Sequence, residues 1–179
     1  MYDENDFASA SSESGVTDAS DSTGAASVSD ATDTTESLNP LALDNQLCFP
    51  LYAAAKELTR RYKPFLDPLG LTYTQYVAMM ALWEQDSLTV SELGARLYLD
   101  SATLTPLLKR LEAHGYLNRT RSKKDERTVI ITLTDDGRAL HDLALDVPRC
   151  MAGCINMDPE KLLQLKGLLE ELLASFAEA

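Results

Sequence analysis

In the run SATLTPLLKRLEAHG (101–115), Leu104, Leu107, Leu108 and Leu111 recur at i, i+3, i+4 and i+7, and Gly115 closes the run. That spacing puts leucine along one face of a helix and leaves Ser101, Thr103, Thr105, Lys109 and Arg110 on the outside. Glycine at the end suits the left-handed residue that terminates many helices. Just upstream, Thr89 and Glu92 match the S/T-x-x-E capping box, in which each side chain satisfies an orphan backbone amide. Val90, Leu93 and Leu97 then give a short inward stripe. Two short helices joined by a tight turn, the second with a polar outer face, form a helix-turn-helix.

The next segment, LNRTRSKKDERTVIITLT (117–134), holds two β-prone runs around a charged turn at Lys123–Glu126. It reads as a hairpin with a basic tip. A charged hairpin tip is usually only solvated; beside a helix-turn-helix it reads as a wing. Arg121, Lys123, Lys124 and Arg127 are then placed for phosphates or the minor groove, where negative potential favours arginine. Asp125 is a poor DNA contact, and its expected job is structural, a carboxylate that orients Arg127. The expected partner is double-stranded DNA, a palindromic operator read by the second helix of each motif in a two-fold dimer.

A net charge of −12 does not exclude that partner, because the charge is unevenly placed. Residues 1–40 hold nine acids and no Lys or Arg, whereas 104–128 has seven Lys/Arg against three acids. A partner meets the local charge. Residues 1–40 are mostly Ser, Thr, Ala and Asp and bury too little apolar surface to offset chain entropy. They are expected to be a disordered tail, either a solubiliser or an acidic arm that competes with DNA.

Flanking helices complete the domain. Leu47, Leu51, Ala54/Ala55, Leu58 and Tyr62 predict a first helix ending near KPFLDPLG, where Pro64, Pro68 and Gly70 break the chain. A second, mostly buried helix follows at 73–86. Thr134 is expected to cap a helix through about Val147, interrupted by Pro148 and Gly153. Asp158 and Pro159 suit the N-cap and first position of the last helix. There Leu162, Leu165, Leu169, Leu172 and Phe176 form a seam beside the extra Leu163, Leu168 and Leu173. That is more apolar face than a small domain can cover, so a homodimer is expected over an intramolecular core. The fold class is mostly α with a small β-hairpin wing: a winged helix-turn-helix with N- and C-terminal dimerisation helices. The helix-turn-helix spans about 89–115, the wing about 117–134 and the C-terminal helices about 135–178, within a domain of 41–179.

No apolar run is long enough for a membrane span, and no secretory signal is visible at the N-terminus. Three cysteines do not make a disulfide scaffold, so a cytoplasmic location is expected. With only His114 and His141, and no C-x-x-C, zinc spacing is missing; no metal or other cofactor is expected. No nucleophile–base pairing suggests an enzyme. From the residues alone, Cys48 reads first as a small core hydrophobe. The other reading is a reactive thiol, since helix N-termini and nearby donors favour thiolates.

The segment LTVSELGARLYLDSATLTPLLKRLEAHGYLNRTRSKKDERTVIITLTDDGRAL resembles the DNA-binding core of MarR-type regulators, including the D-x-R wing signature at Asp125–Arg127. DNQLCFPLY, with YKPFLDPLGLTYTQYVAMMALWEQD downstream, looks like the organic-hydroperoxide-sensing branch of that family. The resemblance implies a repressor whose Cys48 is oxidised to a sulfenic acid by organic hydroperoxide. It also implies that Tyr62 and Tyr73 hydrogen-bond the thiolate, and that DNA is then released. In one subset of the family a downstream cysteine of the other subunit resolves the sulfenic acid; Cys150 is the first choice here and Cys154 the second. Pro50 departs from the family pattern, so the first helix either starts near Phe49, with Cys48 at its cap, or kinks. Two rival readings are a regulator relieved by a non-covalent lipophilic or aromatic ligand, and a thiol peroxidase.

Overall fold

The Leu104, Leu107, Leu108 and Leu111 stripe is buried in the structure, with Leu104 and Leu111 fully inaccessible. The computed structural model describes residues 39–177, and the acidic segment expected to be a disordered tail lies outside the described residues except at its end. The described chain begins with a single 3-10 turn at Leu43–Asn45, followed by α1 (Cys48–Leu66), α2 (Tyr73–Glu84), β1 (Leu88–Thr89), α3 (Val90–Leu97) and α4 (Ser101–Ala113). Strands β2 (Leu117–Arg121) and β3 (Val129–Leu133) follow, then α5 (Asp135–Ala144), α6 (Val147–Ala152) and α7 (Pro159–Ala177).

Local chemistry sets most of these boundaries. Helix α3 starts on the Thr89–Glu92 box: the Thr89 N–H donates to the Glu92 carboxylate at 2.7 Å, and the Glu92 N–H donates to the Thr89 hydroxyl at 3.1 Å. Thr72 and Gln75 form the same reciprocal box at the start of α2. Asp100 caps α4, accepting from the Thr103 N–H at 2.7 Å. Thr134 caps α5, accepting from the Gly137 N–H at 3.0 Å. Gly115 takes φ 80° after α4. In the turn between α3 and α4, Tyr98 has φ 54°, a left-handed conformation that costs a side chain such as tyrosine about 1 kcal/mol.

The core gathers Leu66, Met79 and Leu82 from α1 and α2, Leu93 from α3, the α4 leucines, and Leu117 and Ile131 from the sheet. Each such burial is worth about 1.5–3 kcal/mol of transfer free energy. The expected hairpin is one part of a three-stranded antiparallel sheet in the order β1-β3-β2, with Leu88 opposite Ile131 and Leu117 opposite Leu133.

Several expectations are refined or corrected. Helix α1 ends at Leu66, inside the expected KPFLDPLG stretch, though Pro64 itself lies within the last turn; a proline there forfeits one intrahelical bond and the helix tolerates the loss. At Pro50 the first of the two expected outcomes holds to within one residue: the helix begins at Cys48, so Pro50 is its third residue, where the missing N–H would have had no intrahelical partner. Helix α5 ends at Ala144 rather than about Val147, and Pro148 is the second residue of α6, in its first turn, instead of interrupting α5. Helix α7 is largely uncovered: Leu163 is 70% exposed, Leu168 62% and Phe176 67%. Among the described residues, no helix is long and apolar enough to cross a membrane.

Candidate nucleic-acid interface and thiol site

Helix α4 presents Ser101, Thr103, Lys109 and Arg110 to solvent, as its periodicity requires. Thr105 is half-buried, and its hydroxyl donates to the Ser101 carbonyl at 2.6 Å, which leaves only its lone pairs for a partner. Arg110 and Thr103 line a small cleft with Thr72, Thr74 and Pro106. The N-terminus of α2 therefore lies beside the outer face of α4, which helical spacing within either segment does not reveal.

Ion pairing separates the cations into two groups. Arg60, Arg61, Lys63, Arg96, Arg119, Arg138, Arg149 and Lys166 all lie within ion-pair distance of a carboxylate. Lys109, Arg110, Arg121, Lys123, Lys124 and Arg127 have no such neighbour among the described residues, and all six are exposed. Lys56 and Lys161, on α1 and α7, also lack an ion pair among the described residues, but six of these eight cations lie on α4 and the wing, an arrangement suited to a polyanion. Arg119 differs from its neighbours on the strand. It reaches back to Glu112 at 2.8 Å and fastens β2 to α4.

Asp125 acts on the backbone rather than on the Arg127 guanidinium. One oxygen accepts from the Arg127 N–H at 3.0 Å and the other from the Thr128 hydroxyl at 3.0 Å. This shapes the tip of the wing and leaves the Arg127 side chain free to reach outward. Asp86, which local pattern did not single out, holds the root of the wing: it accepts from the Leu133 N–H and from Arg138, each at 2.9 Å. Burial pushes the Asp86 carboxyl up, but the Leu133 and Ser87 amides and Arg138 more than offset this and leave it below its ordinary value. Gly137 is a second joint, because a β-carbon there would run into the Tyr116 carbonyl. Trp83 donates to the Gly137 carbonyl at 2.8 Å.

Cys48 is the first residue of α1 and is exposed. Around it Leu47 is 65% exposed, Phe49 41% and Tyr52 62%, a band of large apolar groups left uncovered. Tyr62 and Tyr73 do come together: their ring centroids are 4.9 Å apart, with Tyr76 6.0 Å from Tyr62. Burial pushes the Tyr62 hydroxyl above its usual range, with Tyr73 adding to the effect, and burial does the same to Tyr76. Both therefore remain hydroxyl donors at neutral pH. Beside Tyr73 lies a cleft of about 400 Å³ lined by Lys56, Thr59, Lys63, Leu66 and Leu71. The chain does not bring Cys48 to this tyrosine cluster. Tyr62 follows it by fourteen residues on the same helix, about 21 Å along the axis.

Cys150 is exposed on α6, and Cys154 is half-buried just beyond it. The Cys154 thiol donates weakly to the Cys150 carbonyl at 3.5 Å, and Arg61 of α1 donates to the Cys154 carbonyl at 2.5 Å. Among the described residues, no cluster of His, Cys, Asp and Glu could hold a metal ion.

The family model described as transcriptional regulator SarA/Rot matches residues 60–143. The organic hydroperoxide resistance transcriptional regulator of Bacillus subtilis (strain 168) is 51% identical over 133 residues, covering 74% of this chain and 90% of that one. Reduced AbfR bound to DNA, a Staphylococcus epidermidis protein, is 36% identical with a TM-score of 0.66, covering 76% of this chain and 93% of that one. The disulfide-formed state of AbfR is 37% identical with a TM-score of 0.54, covering 73% and 92%.

Proposed function

From the premise that this chain belongs to the organic-hydroperoxide branch of the MarR-type winged-helix regulators, we propose that it is a homodimeric repressor that releases its operator when Cys48 is oxidised. It is a DNA-binding transcriptional regulator rather than an enzyme. Helix α4 enters the major groove of a palindromic site, and the wing tip carries Arg127, Lys123 and Lys124 to the backbone or minor groove. The protein acts in the cytoplasm, where a thiol stays reduced until an oxidant arrives.

The observation that carries the sensing role is the position of Cys48. It is an exposed thiol at the first residue of a helix, within an uncovered apolar band, while its expected tyrosine partners lie at the far end of that helix. A second subunit resolves the mismatch. Its tyrosine cluster meets Cys48 across a two-fold axis, and the exposed leucines of α1 and α7 are covered in the same interface. Tyr62 and Tyr73 then donate to the thiolate, and the apolar surroundings admit an organic hydroperoxide in preference to a small hydrated oxidant. Cys150 or Cys154 resolves the resulting sulfenic acid.

A regulator relieved by a non-covalent ligand is the second reading. It is favoured by a cleft of about 250 Å³ lined by Tyr76, Met80, Trp83, His141 and Leu145. One experiment separates the two: operator binding by purified protein before and after cumene hydroperoxide, with Cys48→Ser alongside. The sensor reading expects the wild type to lose DNA and the variant to keep it. Equal loss by both would overturn it.

A further inference from the structure

The two downstream cysteines stand four residues apart at the end of α6, and the sulfur of Cys154 already lies over the Cys150 carbonyl at 3.5 Å. We propose that Cys150 and Cys154 of one subunit form a disulfide with each other, which takes the oxidation away from Cys48 and returns Cys48 to the thiol. The proposal rests on the reading of Cys48 as the thiol that meets the hydroperoxide.

Residues four apart in a helical turn have α-carbons about 6 Å apart, inside the range a disulfide spans. Their β-carbons must close further, to about 4 Å, so the turn must be able to yield. This one can. Cys154 lies beyond the helix end, after Gly153 as the cap residue. Its N–H bonds to the Met151 carbonyl at 2.9 Å and the Ile155 N–H to Ala152 at 3.3 Å, three-residue turns rather than α-helical ones. Cys150 is exposed, so its side chain can rotate towards its neighbour without unpacking the core.

The chemistry balances in three steps. The Cys48 thiolate attacks the outer oxygen of an organic hydroperoxide; the O–O bond breaks, the alkoxide leaves as alcohol, and the sulfur becomes a sulfenic acid. One thiolate of the pair in the partner subunit attacks that sulfur, forming an S–S bond and expelling hydroxide, which leaves as water. The second thiolate of the pair then attacks the sulfur of its neighbour, breaking the mixed disulfide and releasing Cys48 as thiolate. The net change is two thiols oxidised and one hydroperoxide reduced to alcohol and water. The last step is favoured by proximity, since the attacking thiol sits one turn away on the same chain.

The test is a time course of full-length protein with one equivalent of cumene hydroperoxide, followed on non-reducing gels and by mass mapping. Cleavage after Arg149 and Lys161 leaves both cysteines in one peptide. In wild type, a covalent dimer band should rise and then fall. That peptide should end two hydrogen atoms lighter, with Cys48 again open to alkylation. Of Cys150→Ser and Cys154→Ser, the variant that keeps the resolving thiol should hold its dimer band and the other should show none. A final state with Cys150 and Cys154 both still alkylatable would overturn the proposal. In Cys48→Ser, hydroperoxide should leave the peptide unchanged, whereas diamide, a direct thiol oxidant, should close it. Diamide failing to do so would also overturn the pair. Hydroperoxide closing it at the wild-type rate would overturn instead the role of Cys48 as the point of entry.

Discussion

Cys48 and Tyr62 lie fourteen residues apart on α1, about 21 Å along its axis, although they serve one reaction in the proposed function. Each functional thiol site is then shared between subunits. Mixed dimers of a Cys48→Ser chain and a Tyr62→Phe,Tyr73→Phe chain should contain one site with an intact cysteine and intact tyrosines, and one site lacking both. The single Cys48 of each such dimer, half the wild-type number, should respond to hydroperoxide at the wild-type rate. If the tyrosines act within their own chain, every thiol in the mixed dimer responds slowly, and stopped-flow consumption of one equivalent separates the two outcomes.

DNA binding should be strongly salt-dependent, because the unpaired cations of α4 and the wing displace counterions in both half-sites. Arg127→Ala should weaken operator binding by about 1–3 kcal/mol. Arg119→Ala should act differently, since that side chain is tied to Glu112: it should loosen the wing and lower thermal stability while leaving the salt slope almost unchanged. A titration series in salt, with melting curves alongside, distinguishes a contact from a brace.

Residues 1–40 bring nine carboxylates and no cation. Their removal should raise operator affinity, and most at low salt, where the Debye length reaches about 30 Å at 0.01 M. Equal affinity of the full and shortened chains at low salt would leave those acids with a solubilising role alone.

Asp86 links pH to stability. Its carboxyl is held below its ordinary value, so its contribution is complete above the unfolded-state pKa, about 3.9, and disappears as pH falls through the lower folded-state value. Asp86→Asn should cost about 1–2 kcal/mol at pH 7, a figure kept small because the group is partly in solvent. The gap between variant and wild type should narrow only in strong acid, which denaturant melts at pH 7 and pH 3 would register.

Gly137→Ala should destabilise the domain by about 3 kcal/mol, since the added carbon meets a backbone carbonyl and not a side chain that can swing aside. Differential scanning calorimetry gives the number. A neutral result would mean that α5 can lift away from Tyr116.

The parts of the fold that local pattern carries were readable in advance. The Thr89–Glu92 box, the α4 leucines, the Thr134 cap and the two wing strands are each specified within a few neighbouring residues. What escaped depends on residues distant in sequence. Strand β1 is two residues long and exists because Leu88 meets Ile131. The role of Asp86 appears only once Leu133 and Arg138 are folded against it. The end of α1 at Leu66 falls inside the expected KPFLDPLG stretch, but that Pro64 lies within the last turn depends on the helix end, which sequence places only within a few residues. At the thiol site, Tyr62 and Tyr73 lie side by side, with ring centroids 4.9 Å apart. The separation of Cys48 from Tyr62 follows from counting residues along α1, but it shows only when the helix is continuous through Pro50.

Asp86 joins the loop after α2, the last residue of β3 and the first turns of α5 through a single carboxylate. The block that meets DNA is thus braced at its root against bending. A dimer of two such blocks works like a calliper with jaws of fixed shape: its setting is the gap between them, matched to half-sites about 34–36 Å apart. Under the proposed function, oxidation then need not deform either jaw to end repression. A small change in the opening is enough, because a reader that is intact but out of step with the helical repeat makes no productive contact with the second half-site.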